Sequence, residues 1–293
     1  MSVPPADPEW LDTRFEEELR RVMFGGAEPQ QQCFLVLIGG QPGAGKTRGT
    51  HFAQALHEER VVVVSGDDYR YLHPEYKRLQ REDPEQMPVV TQPVSSGMVE
   101  RALDYARKNR VSVLVEGTFR NPTVATGTAE AFHRDGFDVH VVALAVPPQV
   151  SRAATLSRYY ETLGTEQNRW TPPASHDAAV AGMTGTVEAL ARSSTVARVT
   201  VLSREGEVLA DSEEPGEERA RQMRSVIEHA HTRPLTADEQ ELVDAIEGAA
   251  LPAPRAATPP RAPVASRGED VARARGDDPP RRSVGPIAGG PTR

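Results

Sequence analysis

The chain has 293 residues, enough for one large domain or two small ones, and carries 34 basic against 42 acidic side chains, a net charge of −8. One cysteine, Cys33, excludes an internal disulfide and a cysteine-based zinc site, and no apolar run reaches the ~18 residues of a membrane span. The amino-terminal stretch lacks the basic start and apolar core of a secretory signal, so a cytoplasmic location without membrane association is expected.

In chain order, the pattern predicts a helix over Glu9–Val22, a strand over Phe34–Ile38, a helix over Thr47–Glu59 and a strand over Val61–Val64. A helix over Ser95–Asn109, a strand over Val111–Val115, a helix over Thr123–Asp135 and a strand over Val139–Ala145 follow. Then come helices over Pro148–Leu163 and His176–Arg192, a strand over Val199–Leu202, and a helix over Thr236–Gly248. That last helix opens on Thr236 with Glu239 three residues on, a capping box. The strands are near-continuous apolar runs, as in sheets covered on both faces. Strand–helix alternation therefore predicts an α/β three-layer sandwich with a mostly parallel sheet.

From Leu251 onward, 43 residues hold 9 Pro, 8 Arg, 4 acids and no aromatic, which reads as a disordered tail. The expected division is an N-terminal helical extension (1–30), a kinase domain (31–232), a C-terminal helix (233–250) and the tail (251–293). Removing the tail leaves 26 basic and 38 acidic residues, a net −12, and so acidic a body argues against nucleic acid as a partner.

The strongest chemical signal is Gly40-Gln41-Pro42-Gly43-Ala44-Gly45-Lys46-Thr47 between a predicted strand and a predicted helix. Glycines let backbone N–H groups wrap a phosphate, and the following helix adds its positive end. Lys46 suits the β- and γ-phosphates of ATP, and the Thr47 hydroxyl suits a magnesium ion. An Asn-Lys-x-Asp element for reading guanine is absent. The strand at Val111–Val115 ends in Glu116 rather than the aspartate usual in motor ATPases. Small-molecule kinases are left as the leading class.

Ligands of such sheets gather beyond the carboxyl ends of the strands. The second strand ends in Asp67-Asp68, and a kinase needs a carboxylate there to receive the acceptor's proton. Spacing does not choose between the two, nor between a base and an acidic helix cap. The third strand ends in Glu116, Thr118 and Arg120; alternation aims two of them at the site, unless Glu116 and Arg120 form a surface ion pair. Arg152, Arg158 and Arg169 lie on or near a later helix, where an arginine can neutralise transferring phosphate. His73 reads as structural.

Together these pieces resemble the zeta toxin family of bacterial toxin–antitoxin kinases. The resemblance rests on Gly40–Thr47, Asp67 with His73-Pro74, Glu116-Gly-Thr-x-Arg120, Ala145-Val-Pro147, Arg158-Tyr159, Arg169-x-Thr171-Pro172 with His176-Asp177, and Arg204-Glu-Gly206. It spans about Glu9 to His231. It implies transfer of the ATP γ-phosphate to the 3′-hydroxyl of the amino sugar of UDP-N-acetylglucosamine, which blocks cell-wall precursor synthesis. It also implies a small helical antitoxin partner. By the same resemblance Asp67, rather than Asp68, is the base, and Glu100, Glu116, Thr118 and Arg120 line the nucleotide-sugar site. Arg158 and Arg169 close on the phosphates. Ser95-Ser-Gly97, before Met98-Val-Glu100, departs from the family's polar run at that place.

Overall fold

The computed structural model describes residues 7–58, 60–165 and 168–249. The expected tail from residue 251 and the expected helix end at Glu59 lie outside them. Six strands form one sheet in the order β2-β3-β1-β4-β5-β6. They are β1 (Cys33–Gly39), β2 (Val62–Ser65), β3 (Val113–Gly117), β4 (Phe137–Leu144), β5 (Arg198–Leu202) and β6 (Val208–Ser212). The first five pair in parallel, and β6 runs antiparallel to β5 at the edge.

The five expected strands are all present. The sixth was not legible, because its apolar run is only the three residues Val208–Ala210, of which only Ala210 is buried.

Alternate residues of each strand point to opposite faces. Leu35, Leu37, Val113, Val139 and Val141 join one core with helices α6 (Gln92–Asn109), α7 (Pro122–Arg134), α9 (Pro173–Arg192) and α10 (Glu217–Thr232). Val36, Ile38, Leu114, Val142 and Leu144 join a second with α3 (Lys46–Leu56), α8 (Pro148–Glu161) and α11 (Ala237–Gly248). This is the three-layer arrangement the alternation requires. The capping box at Thr236 and Glu239 is formed as read, and Glu239 is further held by Arg233 at 2.6 Å.

Three shorter helical pieces follow β2: a 3₁₀ turn over Gly66–Leu72, α4 (Tyr76–Glu82) and α5 (Met87–Val90). The expected first helix is α1 (Pro8–Arg14) and α2 (Arg20–Phe24) joined by a π-helical turn over Phe15–Leu19. Its buried Leu11, Phe15, Leu19 and Phe24 sit in the first core, and Arg101 of α6 ties Asp12 at 2.7 Å. Leu11 lies so close to α6 that a Cβ on Gly97 would stand 2.6 Å from its Cδ1. Gly97 is thus where the N-terminal helices dock, while Ser95 donates to the Gly66 carbonyl after β2 at 2.6 Å.

Register brings the ends of the central strands together. Gly39 faces Gly117 on one side and Ala143 on the other, and Ser65 faces Glu116. The phosphate loop, the 3₁₀ turn and the Thr118–Arg120 loop therefore leave the sheet at one edge.

Candidate active site

Gly40–Thr47 joins β1 to α3, with Gly43 and Gly45 at φ +81° and +87°, a left-handed conformation that side chains with a Cβ resist. Gly43 is also seated tightly, since a Cβ there would lie 2.0 Å from the carbonyl oxygen of Ser151. Gln41 is fully buried and donates to the Val146 carbonyl at 2.7 Å, tying the loop to the end of β4. Ser151 in turn meets Nε2 of His176 at 2.9 Å. Both groups are buried, so this Ser–His pair is a strut between α8 and α9 behind the loop, not a nucleophile.

Lys46 opens α3, and its Nζ donates to the Gly40 carbonyl at 3.3 Å. Burial lowers its pKa; Glu116 and Asp67 oppose that shift, while Arg158 and Arg169 add to it. Thr47 is exposed on the first turn, and its hydroxyl makes no hydrogen bond among the described residues. One turn on, Thr50 donates to Glu116 Oε1 at 3.0 Å, and Ser65 donates to Oε2 at 3.4 Å. Glu116 therefore faces the phosphate-loop helix. The alternative of a Glu116–Arg120 surface pair is not what the chain adopts.

Asp67 lies on the 3₁₀ turn. Arg70 Nε donates to its Oδ1 at 2.9 Å, and Arg169 Nη1 stands 3.3 Å from its Oδ2. Burial pushes the Asp67 carboxyl up, but Arg169, Arg70 and Lys46 together outweigh it and hold the pKa at about 2. At Asp68 burial prevails and raises the pKa. The two aspartates that spacing left equal are thus separated by their surroundings.

Arg70, absent from the sequence-based candidates, is the anchor of this turn. It is only 8% exposed and donates to Asp67, the Pro88 carbonyl, the Thr91 hydroxyl and Gln92 Oε1. Its acceptors beyond Asp67 lie 18 to 22 residues away, so no local pattern marks it.

Arg169 is presented by a loop pinned on both sides. Asn168 donates to the Tyr159 carbonyl at 2.6 Å and accepts from Gln80 at 2.8 Å, while Trp170 packs edge-on against Tyr159 at 5.1 Å. Arg158, on α8, is exposed and has no ion-pair partner among the described residues; burial of its stem and the nearby Arg169 lower its pKa. Arg152 instead pairs with Asp177 on the surface, away from this group. His73 is buried and its Nδ1 accepts from the Glu75 amide, a structural role as read.

Lys46, Arg70, Arg158 and Arg169 thus stand with three carboxylates, Asp67, Asp68 and Glu116, and the excess of positive charge suits a polyphosphate. The structure does not bring the remaining candidates into bonding contact with this group. Glu100 is exposed on α6, on the face shared with Gln92 and Ser96 and two turns beyond Gln92. Thr118 is half-buried, and Arg120 is exposed without an ion pair among the described residues. The expected alternation does not carry through to Arg120, because β3 ends at Gly117 and Phe119 adopts φ +53°.

Among the described residues no helix is long and apolar enough to cross a membrane. Residues 20–214 match the zeta toxin family. Toxin PezT of Streptococcus pneumoniae is 29% identical over 211 residues, covering 70% of this chain and 83% of that protein. Toxin zeta of Enterococcus hirae is 29% identical over 245 residues, covering 80% and 84%. A solved structure from the PezAT chromosomal toxin–antitoxin system of Streptococcus pneumoniae superposes with a TM-score of 0.68 at 26% identity, covering 81% of this chain and 93% of that one. With its P-loop kinase-like fold and this match over most of its ordered sheet, the chain belongs to the zeta toxin family.

Proposed function

We propose that the protein is an ATP-dependent kinase whose acceptor is the sugar 3′-hydroxyl of UDP-N-acetylglucosamine. The observation that carries the kinase reading is Asp67: an ionised carboxylate held by Arg70 and Arg169 beside the phosphate-loop lysine. In the proposed step Asp67 accepts the proton of the acceptor hydroxyl. The hydroxyl oxygen bonds to the γ-phosphorus, and the bond from that phosphorus to the β–γ bridging oxygen breaks, leaving ADP. Lys46, Arg158 and Arg169 neutralise charge on the transferring group.

The loop fits ATP because its glycines admit the required backbone and Gly43 has no room for a side chain. Magnesium fits as well: the Thr47 hydroxyl is free, and one turn along the same helix Thr50 donates to Glu116 of β3. No group of three or more His, Cys, Asp or Glu is placed to hold a metal by itself among the described residues, so triphosphate oxygens would complete the set. Bound there, the ion supplies neutralisation of the β- and γ-oxygens.

The acceptor assignment rests on the family and on Glu100, Glu116, Thr118 and Arg120, which would line the nucleotide-sugar site. By the same relationship a small helical antitoxin would hold the enzyme inactive in the cytoplasm; PezAT is a chromosomal toxin–antitoxin system. The test is ADP release with ATP and magnesium across a panel of UDP-sugars, with mass analysis of the product. Release with UDP-N-acetylglucosamine and a product one phosphate heavier is expected. Release only with an antibiotic, a nucleotide or another small alcohol would replace the acceptor and keep the kinase.

A further inference from the structure

Phe119 is a bulky residue at φ +53°, in a region such residues rarely enter. A glycine would adopt that angle without strain, so something must hold the phenylalanine there. Three buried contacts do so. The ring packs so closely on the last residue of β1 that a Cβ on Gly39 would lie 1.9 Å from it. The Phe119 carbonyl accepts a 2.6 Å hydrogen bond from the Thr186 hydroxyl of α9. The next carbonyl, that of Arg120, lies 2.3 Å from where a Cβ on Gly182 would stand.

Thr186 is fully buried. Its hydroxyl has one proton and two carbonyls in reach, Phe119 at 2.6 Å and the Gly182 carbonyl of its own helix at 2.9 Å. A helical threonine commonly bonds back four residues, so the second contact is ordinary and the shorter one across to the loop after β3 is the special one.

We infer that α9 clamps the acceptor-side loop, with Thr186 and Gly182 as positioning residues for Thr118 and Arg120. The reading rests on the kinase assignment above. The kink ends the strand and sends the two residues flanking Phe119 into the loop that leaves the sheet beside the phosphate cradle. Because the ring sits on Gly39, the residue before the cradle, the spacing from cradle to acceptor contacts is set through the core rather than by a free surface loop.

Thr186→Val keeps shape and removes the donor, Thr186→Ser keeps the donor, and Gly182→Ala pushes on the Arg120 carbonyl. Amide hydrogen exchange over residues 117–121 should rise about tenfold or more in Thr186→Val and Gly182→Ala, with the rest of the sheet unchanged, and return in Thr186→Ser. The KM for the acceptor should rise about tenfold or more while that for ATP stays within about twofold. Unchanged exchange in Thr186→Val, or equal rises in both KM values, overturns the clamp. If the wild type transfers phosphate to no acceptor, the kinase reading falls, and the exchange contrast between Thr186→Val and Thr186→Ser still decides the clamp.

Discussion

Arg70→Met tests the electrostatic core of the proposed mechanism. The substitution removes four donated hydrogen bonds, to Asp67, the Pro88 carbonyl, Thr91 and Gln92. Thr91 is fully buried, so water does not replace the lost donor there. An orphaned buried acceptor costs about 1–3 kcal/mol, and the half-buried Gln92 less, so a loss of about 3–4 kcal/mol is expected. The Asp67 carboxyl loses one of the two arginines that hold it at about 2, below its ordinary 3.8. Its stabilising charge is fully present above pH 3.8 and is lost as pH falls through about 2. Without Arg70 that lower limit should rise by about 1 unit, and with it the acid limb of the rate profile. The kcat should fall about 10- to 100-fold, because the base is no longer fixed. Arg70→Lys restores charge but not the fork, so its acid limb should return while kcat stays low. Urea unfolding and ADP release from about pH 2 to 8, as assay bounds, measure all of this, below the melting temperature of each variant. Wild-type stability and kcat in Arg70→Met would refute the reasoning.

Asp67→Asn should lower transfer by about 10² to 10⁴ while an ATP-dependent rise in melting temperature survives; full activity there with loss in Asp68→Asn would move the base. Lys46→Met should abolish that ATP-dependent rise yet leave the ligand-free protein as stable or more so, since burial and two nearby arginines disfavour the lysine's charge. The buried pair His57 and His140, 3.2 Å apart with Thr200, Asp211 and Arg198 behind it, should make the fold acid-sensitive. Burial lowers both, His140 to about 3, so the unfolded chain takes up protons near 6.5 that the fold refuses. Stability is then full above pH 6.5 and falls below it by up to about 1.4 kcal/mol per unit for each histidine. Urea midpoints from pH 7 to 4 should show this slope, and His140→Asn should flatten it.

How much of the site was legible depends on how local each residue's partners are. Gly40–Thr47 was readable because its residues act through their own backbone and the helix they begin. Asp67 and Asp68 were visible as a pair, but choosing between them by physics needed Arg169, some hundred residues on, and a buried Arg70. Glu116 was visible too, yet its orientation toward Thr50 and Ser65 depends on strand register. Arg152, Arg158 and Arg169 looked alike in sequence; the fold sends Arg152 to a surface pair with Asp177 and the other two toward Asp67.

By itself, then, the sequence determined the parallel sheet, its two helical layers and the phosphate cradle. Apolar runs, helical periodicity and glycine placement are properties of neighbouring residues. Only the tertiary structure decided which carboxylate stays ionised, which arginines serve it, and that a strained Phe119 ends β3. Those outcomes follow from burial and from charges and carbonyls brought together across the sheet, and no short stretch of chain encodes them.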